Sequence, residues 1–140
     1  KPADIAGKAV GAGKSSAQLA QLKAYGDTLP AKIDAREYPG NNEAYADLAA
    51  GRVVAVANSL PNISYVASQR PDTFEVLQPA FGAQTFFGYI GRKDADSASL
   101  LDAVDAALKK MKADGRLATL QKKWFGTTFT VPESVTSPNV

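Results

Sequence analysis

The sequence predicts an α/β layered domain built on a five-stranded, mainly parallel sheet with flanking helices. Short apolar runs alternate with helical patterns from residue 8 to residue 92. The run Val53-Val54-Ala55-Val56-Ala57 is apolar without polar alternation, which suits a strand covered on both faces. Beyond residue 92 the alternation stops and two amphipathic helices follow, surplus to a five-stranded unit.

The elements are expected in this order. Asp4 to Gly7 forms a turn, and Lys8-Ala9-Val10-Gly11-Ala12 a first strand. Gly13-Lys14-Ser15-Ser16 turns into a helix over Ala17 to Gly26, with Leu19, Leu22 and Tyr25 on one face and Gly26 ending it. Lys32 to Tyr38 is a second strand. Pro39 to Asn42 is a turn, and Glu43 to Ala50 a helix carrying Tyr45 and Leu48. The third strand, opened by Gly51-Arg52, ends at Asn58-Ser59-Leu60-Pro61, with Ser59 as N-cap of a helix reaching Gln69. Arg70-Pro71-Asp72 breaks that helix. Phe74 to Leu77 is a fourth strand, and Gln84 to Arg92 a fifth, centred on Phe86, Phe87, Tyr89 and Ile90. The long helix from Ser99 to Lys112 gathers Leu100, Leu101, Val104, Ala107, Leu108 and Met111 on one side, and Asp114-Gly115 ends it. Leu117 to Trp124 is the last helix, and Thr127 to Val140 a polar tail.

Composition removes several chemistries. The 140 residues hold no cysteine and no histidine, so thiol catalysis, histidine acid–base work and almost all transition-metal sites are excluded. Sixteen basic and 14 acidic residues are spread along the chain, so no nucleic-acid partner is expected. Nor does any apolar run approach the roughly 20 residues of a membrane span. The start at Lys1-Pro2-Ala3-Asp4 reads as a cut or processed end.

Gly11-Ala12-Gly13-Lys14-Ser15-Ser16 invites a phosphate-loop reading. The full spacing needs glycine at position 8, where Lys8 stands, and no strand ends in the aspartate that holds magnesium. The plainer reading is a glycine-rich turn that sets N–H groups and two hydroxyls, Ser15 and Ser16, at a helix N-terminus. That suits a carboxylate; the alternative is a structural cap. Asp34, Glu37, Glu43 and Asp47 are not paired by spacing and read as solvated surface. In open α/β sheets ligands sit outside the carboxyl ends of strands, which places Asn58 and Ser59 beside any site.

Four stretches resemble the bacterial extracellular solute-binding proteins of family 3, receptors for polar amino acid ABC importers. They are Asp4 to Gly11, Leu48-Ala49-Ala50-Gly51-Arg52-Val53, Asn58-Ser59-Leu60-Pro61, and Ala113-Asp114-Gly115-Arg116-Leu117 leading to Lys123-Trp124-Phe125-Gly126. The resemblance covers Pro2 to Gly126 and implies a lobe of the type II periplasmic-binding-protein fold. It implies lobe 2 over 1–92, C-terminal helices over 93–126 that pack on an absent lobe 1, and a tail over 127–140. The chain is then expected to be an isolated or truncated second lobe.

The family's Gly-Thr turn falls on Ser15-Ser16, whose N–H groups and hydroxyl meet a ligand carboxylate. The family's ammonium-binding aspartate falls on Ser59, a departure, and Val54 stands where many relatives carry aspartate. Asn58 and Phe87 are further ligand candidates. The resemblance implies a non-catalytic, extracytoplasmic or periplasmic receptor for a carboxylate-bearing solute, partnered by an ABC permease, without cofactor or metal. A dehydratase of the same fold needs an acid–base residue in the cleft, and none is identified. The third reading is a non-binding lobe that forms a homo-oligomer through its C-terminal helices, exchanging them between two copies.

Overall fold

The structure, a computed structural model, describes residues 1–135. It divides into two compact units, Lys1–Ala83 and Gln84–Val140.

The first unit opens with a 3₁₀ turn, Pro2–Ile5, followed by β1 (Ala9–Gly13), α1 (Ala17–Gly26), β2 (Asp34–Tyr38), α2 (Asn41–Ala49), β3 (Ala55–Ala57) and α3 (Leu60–Gln69). The sheet order is β2-β1-β3, with both pairings parallel. Val10 pairs with Ala35 on one side and Ala55 on the other, so β1 is the central strand. Parallel crossovers are right-handed, and β2 and β3 lie on opposite sides of β1. The crossover helices α1 and α2 therefore cover opposite faces.

Alternation along β1 divides the packing. Val10 and Ala12 face the α1 side and join Ile5, Leu19, Leu22 and Ile33 in the core. The expected face of α1 is the observed one: Leu19 and Leu22 are buried, and Tyr25 packs against that core and stacks on Phe81 with ring centroids 4.5 Å apart. On the α2 side, a Cβ at Gly11 would lie 2.9 Å from the Tyr38 ring, so the strand needs glycine there. Tyr38 Oη donates to Asp47 Oδ2 of α2 at 2.8 Å, and Arg52 donates to Asp47 Oδ1 at 2.6 and 2.8 Å. Arg36 of β2 donates to the Arg52 carbonyl at 3.2 Å.

Three expectations are corrected here. Among the described residues the sheet has three strands, not five. Phe74 to Leu77 forms no strand, because the turn after Arg70 redirects the chain and Phe74 docks on side chains instead. Its ring lies 6.2 Å from that of Tyr45 and under the Arg70 guanidinium. Gln84 to Arg92 forms no strand either: it lies in the second unit, which has no described strand for it to pair with. Gly26 ends α1 as expected, as its last helical residue, and is needed there for space, since a Cβ would lie 2.7 Å from both Cγ1 and Cδ1 of Ile33.

The second unit holds α4 (Ala95–Ala113) and α5 (Arg116–Phe125). Helix α4 begins earlier than Ser99 because the Asp94 carboxylate caps it, accepting from Ser97 N at 2.8 Å. Asp114-Gly115 ends α4 as expected, with Gly115 at φ +80°. No residue of either helix is buried, and Leu100 stays 65% exposed. The described part of the expected tail is irregular but held: Lys112 Nζ donates to the carbonyls of Pro132 and Glu133, and Gln121 accepts from Phe129 N. Residues 136–140 of that tail lie outside the described residues.

Two outcomes test this packing. Gly26→Ala should lower stability by about 1–2 kcal/mol, overpacking against Ile33 outweighing the helix preference for alanine. In an Ile33→Ala background that cost should vanish, as read from urea unfolding midpoints. The second concerns acid. Hydrogen bonds from Arg52 and then Tyr38 hold the Asp47 carboxyl below its ordinary value. Its stabilisation is present above the usual carboxylate range and lost as pH falls through the lowered value. Asp47→Asn should flatten the acid side of the stability–pH curve.

Candidate functional site

All three strands run parallel, so their carboxyl ends share one edge of the sheet. The chain leaves β1 at Gly13, β2 at Tyr38 and β3 at Ala57, and α1, α2 and α3 begin on that same edge. Ala12 pairs with Ala57, so Lys14–Ser16 and Asn58–Ser59 depart from neighbouring strands. From β1 the chain moves to β2 on one side, and from β2 it crosses to β3 on the other. The gap between the ends of β1 and β3 is thus the point where strand order reverses, the usual ligand position in open α/β sheets.

The structure brings Ser15, Ser16, Asn58 and Ser59 to this edge. Ser15 has φ +58°, the left-handed region that non-glycine residues seldom adopt, and it reverses the chain between strand and helix. The turn is tied down by Lys14 N donating to the Tyr38 carbonyl at 2.8 Å and Ser16 N donating to the Gly13 carbonyl at 3.2 Å. Ser16 is the N-cap of α1, its Oγ accepting from Leu19 N at 3.1 Å. Ala17 and Gln18, the first two residues of α1, have N–H groups without an intrahelical acceptor. The N-cap role is therefore met, and N–H groups are left over at the positive end of the helix dipole.

Ser59 stands at the N-cap of α3, as the sequence suggests, but its hydroxyl makes no capping bond. Its N–H is taken instead by Asn58 Oδ1 at 2.8 Å. Asn58 Nδ2 donates to Tyr45 Oη and to Asn62 Oδ1, each at 3.1 Å. Tyr45 Oη in turn donates to Asn62 Oδ1 at 2.5 Å. The Asn58 amide thus spends both hydrogens and its oxygen within the protein. Burial pushes the Tyr45 hydroxyl above its ordinary value, partly opposed by the Asn58 bond, so it remains a donor at neutral pH.

Phe87 belongs to the second unit and is 76% exposed; the strand expected to carry it does not form. Tyr45 and Asn62 are site-edge residues that the sequence reading did not single out. The i, i+4 spacing of Asn58 and Asn62 across a helix start is the one signal that marks the pair. Among the described residues no three acidic, histidine or cysteine side chains gather to hold a metal ion.

Residues 16–127 match the profile of the bacterial extracellular solute-binding proteins, family 3. The chain is 34% identical over 98 residues to the L-cystine-binding protein TcyJ of Escherichia coli K12, a match covering 70% of this chain and 36% of that protein. Among solved structures, an ancestral arginine-binding protein bound to arginine superposes with a TM-score of 0.64 at 27% identity, covering 90% of this chain and 54% of that one. A polar amino acid ABC uptake transporter substrate-binding protein from Streptococcus thermophilus gives 0.60 at 19% identity, covering 95% and 51%. The chain therefore spans about a third of the curated relative and about half of the solved structures. With the profile spanning most of its length, the chain belongs to the bacterial extracellular solute-binding proteins of family 3.

Proposed function

We propose that this chain is the second lobe of a non-catalytic, extracytoplasmic receptor that hands an amino acid or related carboxylate-bearing solute to an ABC permease. One observation carries the reading. At the reversal point between β1 and β3, the start of α1 offers unpaired N–H groups beside the Ser15 and Ser16 hydroxyls, and Ser59 faces the same edge with an uncapping hydroxyl. Such a helix start attracts a carboxylate through its partial positive charge and its N–H donors. The ammonium end meets Ser59, which accepts a neutral hydrogen bond but cannot neutralise a buried cation. The site therefore discriminates by its carboxylate half. The relatives' ligands, cystine, arginine and glutamine, are the first solutes to try. One lobe supplies half of the contacts, so binding by this chain alone should be weak.

A second reading concerns self-association. Neither α4 nor α5 buries a residue, while Leu100 and Leu120 stay exposed on apolar stripes. Covering each large side chain is worth about 1.5–3 kcal/mol, enough to favour a homo-oligomer through these helices, whether or not two copies exchange them.

Calorimetric titration with L-arginine, L-glutamine and L-cystine tests the first reading. Ser59→Asp should tighten amino acid binding by about tenfold or more, the scale of a charge-assisted hydrogen bond, and leave a matching acid without the ammonium unaffected. Equal affinities for wild type and variant would sink it. Light scattering tests the second: wild type should exceed the monomer mass, and Leu108→Asp/Leu120→Asp should return it to a folded monomer.

A further inference from the structure

The Tyr45, Asn58 and Asn62 side chains close a ring of hydrogen bonds between α2 and the start of α3. Tyr45 Oη donates to Asn62 Oδ1, Asn58 Nδ2 donates to that same oxygen, and Asn58 Nδ2 also donates to Tyr45 Oη. This closure fixes which way the Asn58 amide points: its nitrogen faces two acceptors, leaving Oδ1 to accept the Ser59 N–H. Tyr45 is held from the other side, since its ring is buried and lies beside Phe74. The anchor therefore comes from α2, while the residue it orients lies across the sheet edge on the β3–α3 turn.

We infer that this ring is the positioning device of the candidate site, with Tyr45 and Asn62 setting the place of Ser59 through Asn58 without touching a ligand. The inference rests on the carboxyl-edge site proposed above. It also explains why Ser59 fills the N-cap position without capping: its N–H is pulled toward Asn58, and its hydroxyl stays available on the edge. Specificity at this position then belongs to four residues rather than one. Asn62 needs only to be an acceptor, because its described bonds are both made at Oδ1. Tyr45 must both donate and accept, which phenylalanine cannot do.

The test compares Tyr45→Phe and Asn62→Asp with wild type by amide hydrogen exchange and by titration with L-arginine, L-glutamine and L-cystine. Tyr45→Phe should speed exchange of the Ser59 N–H and the Asn58 side-chain amide by about tenfold, one hydrogen bond's worth. Core amides at Val10 and Leu22 should keep their wild-type rates relative to one another and to Leu19. Asn62→Asp keeps the acceptor and should hold the Ser59 rate within about twofold. Whichever probe binds should bind several-fold more weakly to Tyr45→Phe. Unaltered Ser59 exchange in Tyr45→Phe overturns the positioning role, as does faster exchange with unaltered affinity. If none of the probes binds wild type or Ser59→Asp, the receptor reading fails, and the exchange rates alone then decide whether the ring orders the turn.

Discussion

Gly11 lacks a side chain because the Tyr38 ring occupies the space beside it, and the first unit is assembled around that close approach. The ring lies across the central strand, and its hydroxyl reaches Asp47 on α2. Asp47 also grips Arg52 just before β3, and Arg36 on β2 holds the carbonyl of Arg52. One glycine thus lets β2, α2 and the entry to β3 be tied together over β1. A side chain at position 11 would push out the aromatic ring that starts this chain of bonds. The ion pair itself joins near neighbours in sequence and contributes little alone; the bonds from Tyr38 and Arg36 are what tie β2 to α2 and to the entry of β3.

Parallel order has a consequence for chemistry. It brings three helix starts to one edge, and the β2-β1-β3 order opens a gap there between two of them. The two sides of the gap are built differently. On the β1 side the turn is secured by backbone bonds and the Ser16 cap, which leaves N–H groups for an anion. On the β3 side the turn is secured by side chains, through Asn58, and its serine hydroxyl is left over. The positive end of the α1 dipole and the N–H groups left at Ala17 and Gln18 therefore lie on the β1 side of the gap.

The second unit obeys different energetics. Its helices are well capped, by Asp94 at the start of α4 and by left-handed Gly115 and Gly126 at the ends. Local signals alone make these helices, yet none of their residues is buried. Isolated helices of such length are marginal in water, and most helical stability comes from tertiary packing of an apolar face. The chain spans only about half of the structures it resembles.

The sequence by itself determined the five described helices, the first two strands and the edge where Ser15, Ser16, Asn58 and Ser59 lie, because periodicity, caps and turn residues are local. Its resemblance to the family was legible in four short stretches for the same reason. The third strand, expected over Val53 to Ala57 and covered on both faces, forms only at Ala55–Ala57, half-buried at the sheet edge with Val54 exposed. Tertiary structure decided what depends on a partner. Phe74 to Leu77 and Gln84 to Arg92 carry strand-like sequences, but a strand exists only through its ladder, and neither segment has one among the described residues. The role of Gly26 depended on Ile33, which arrives from the next connection. Asn58 looked free to meet a ligand until Tyr45, thirteen residues away in sequence, supplied the hydroxyl that takes its amide. Pairings of this kind are set by how helices cross a sheet, and no local pattern records them.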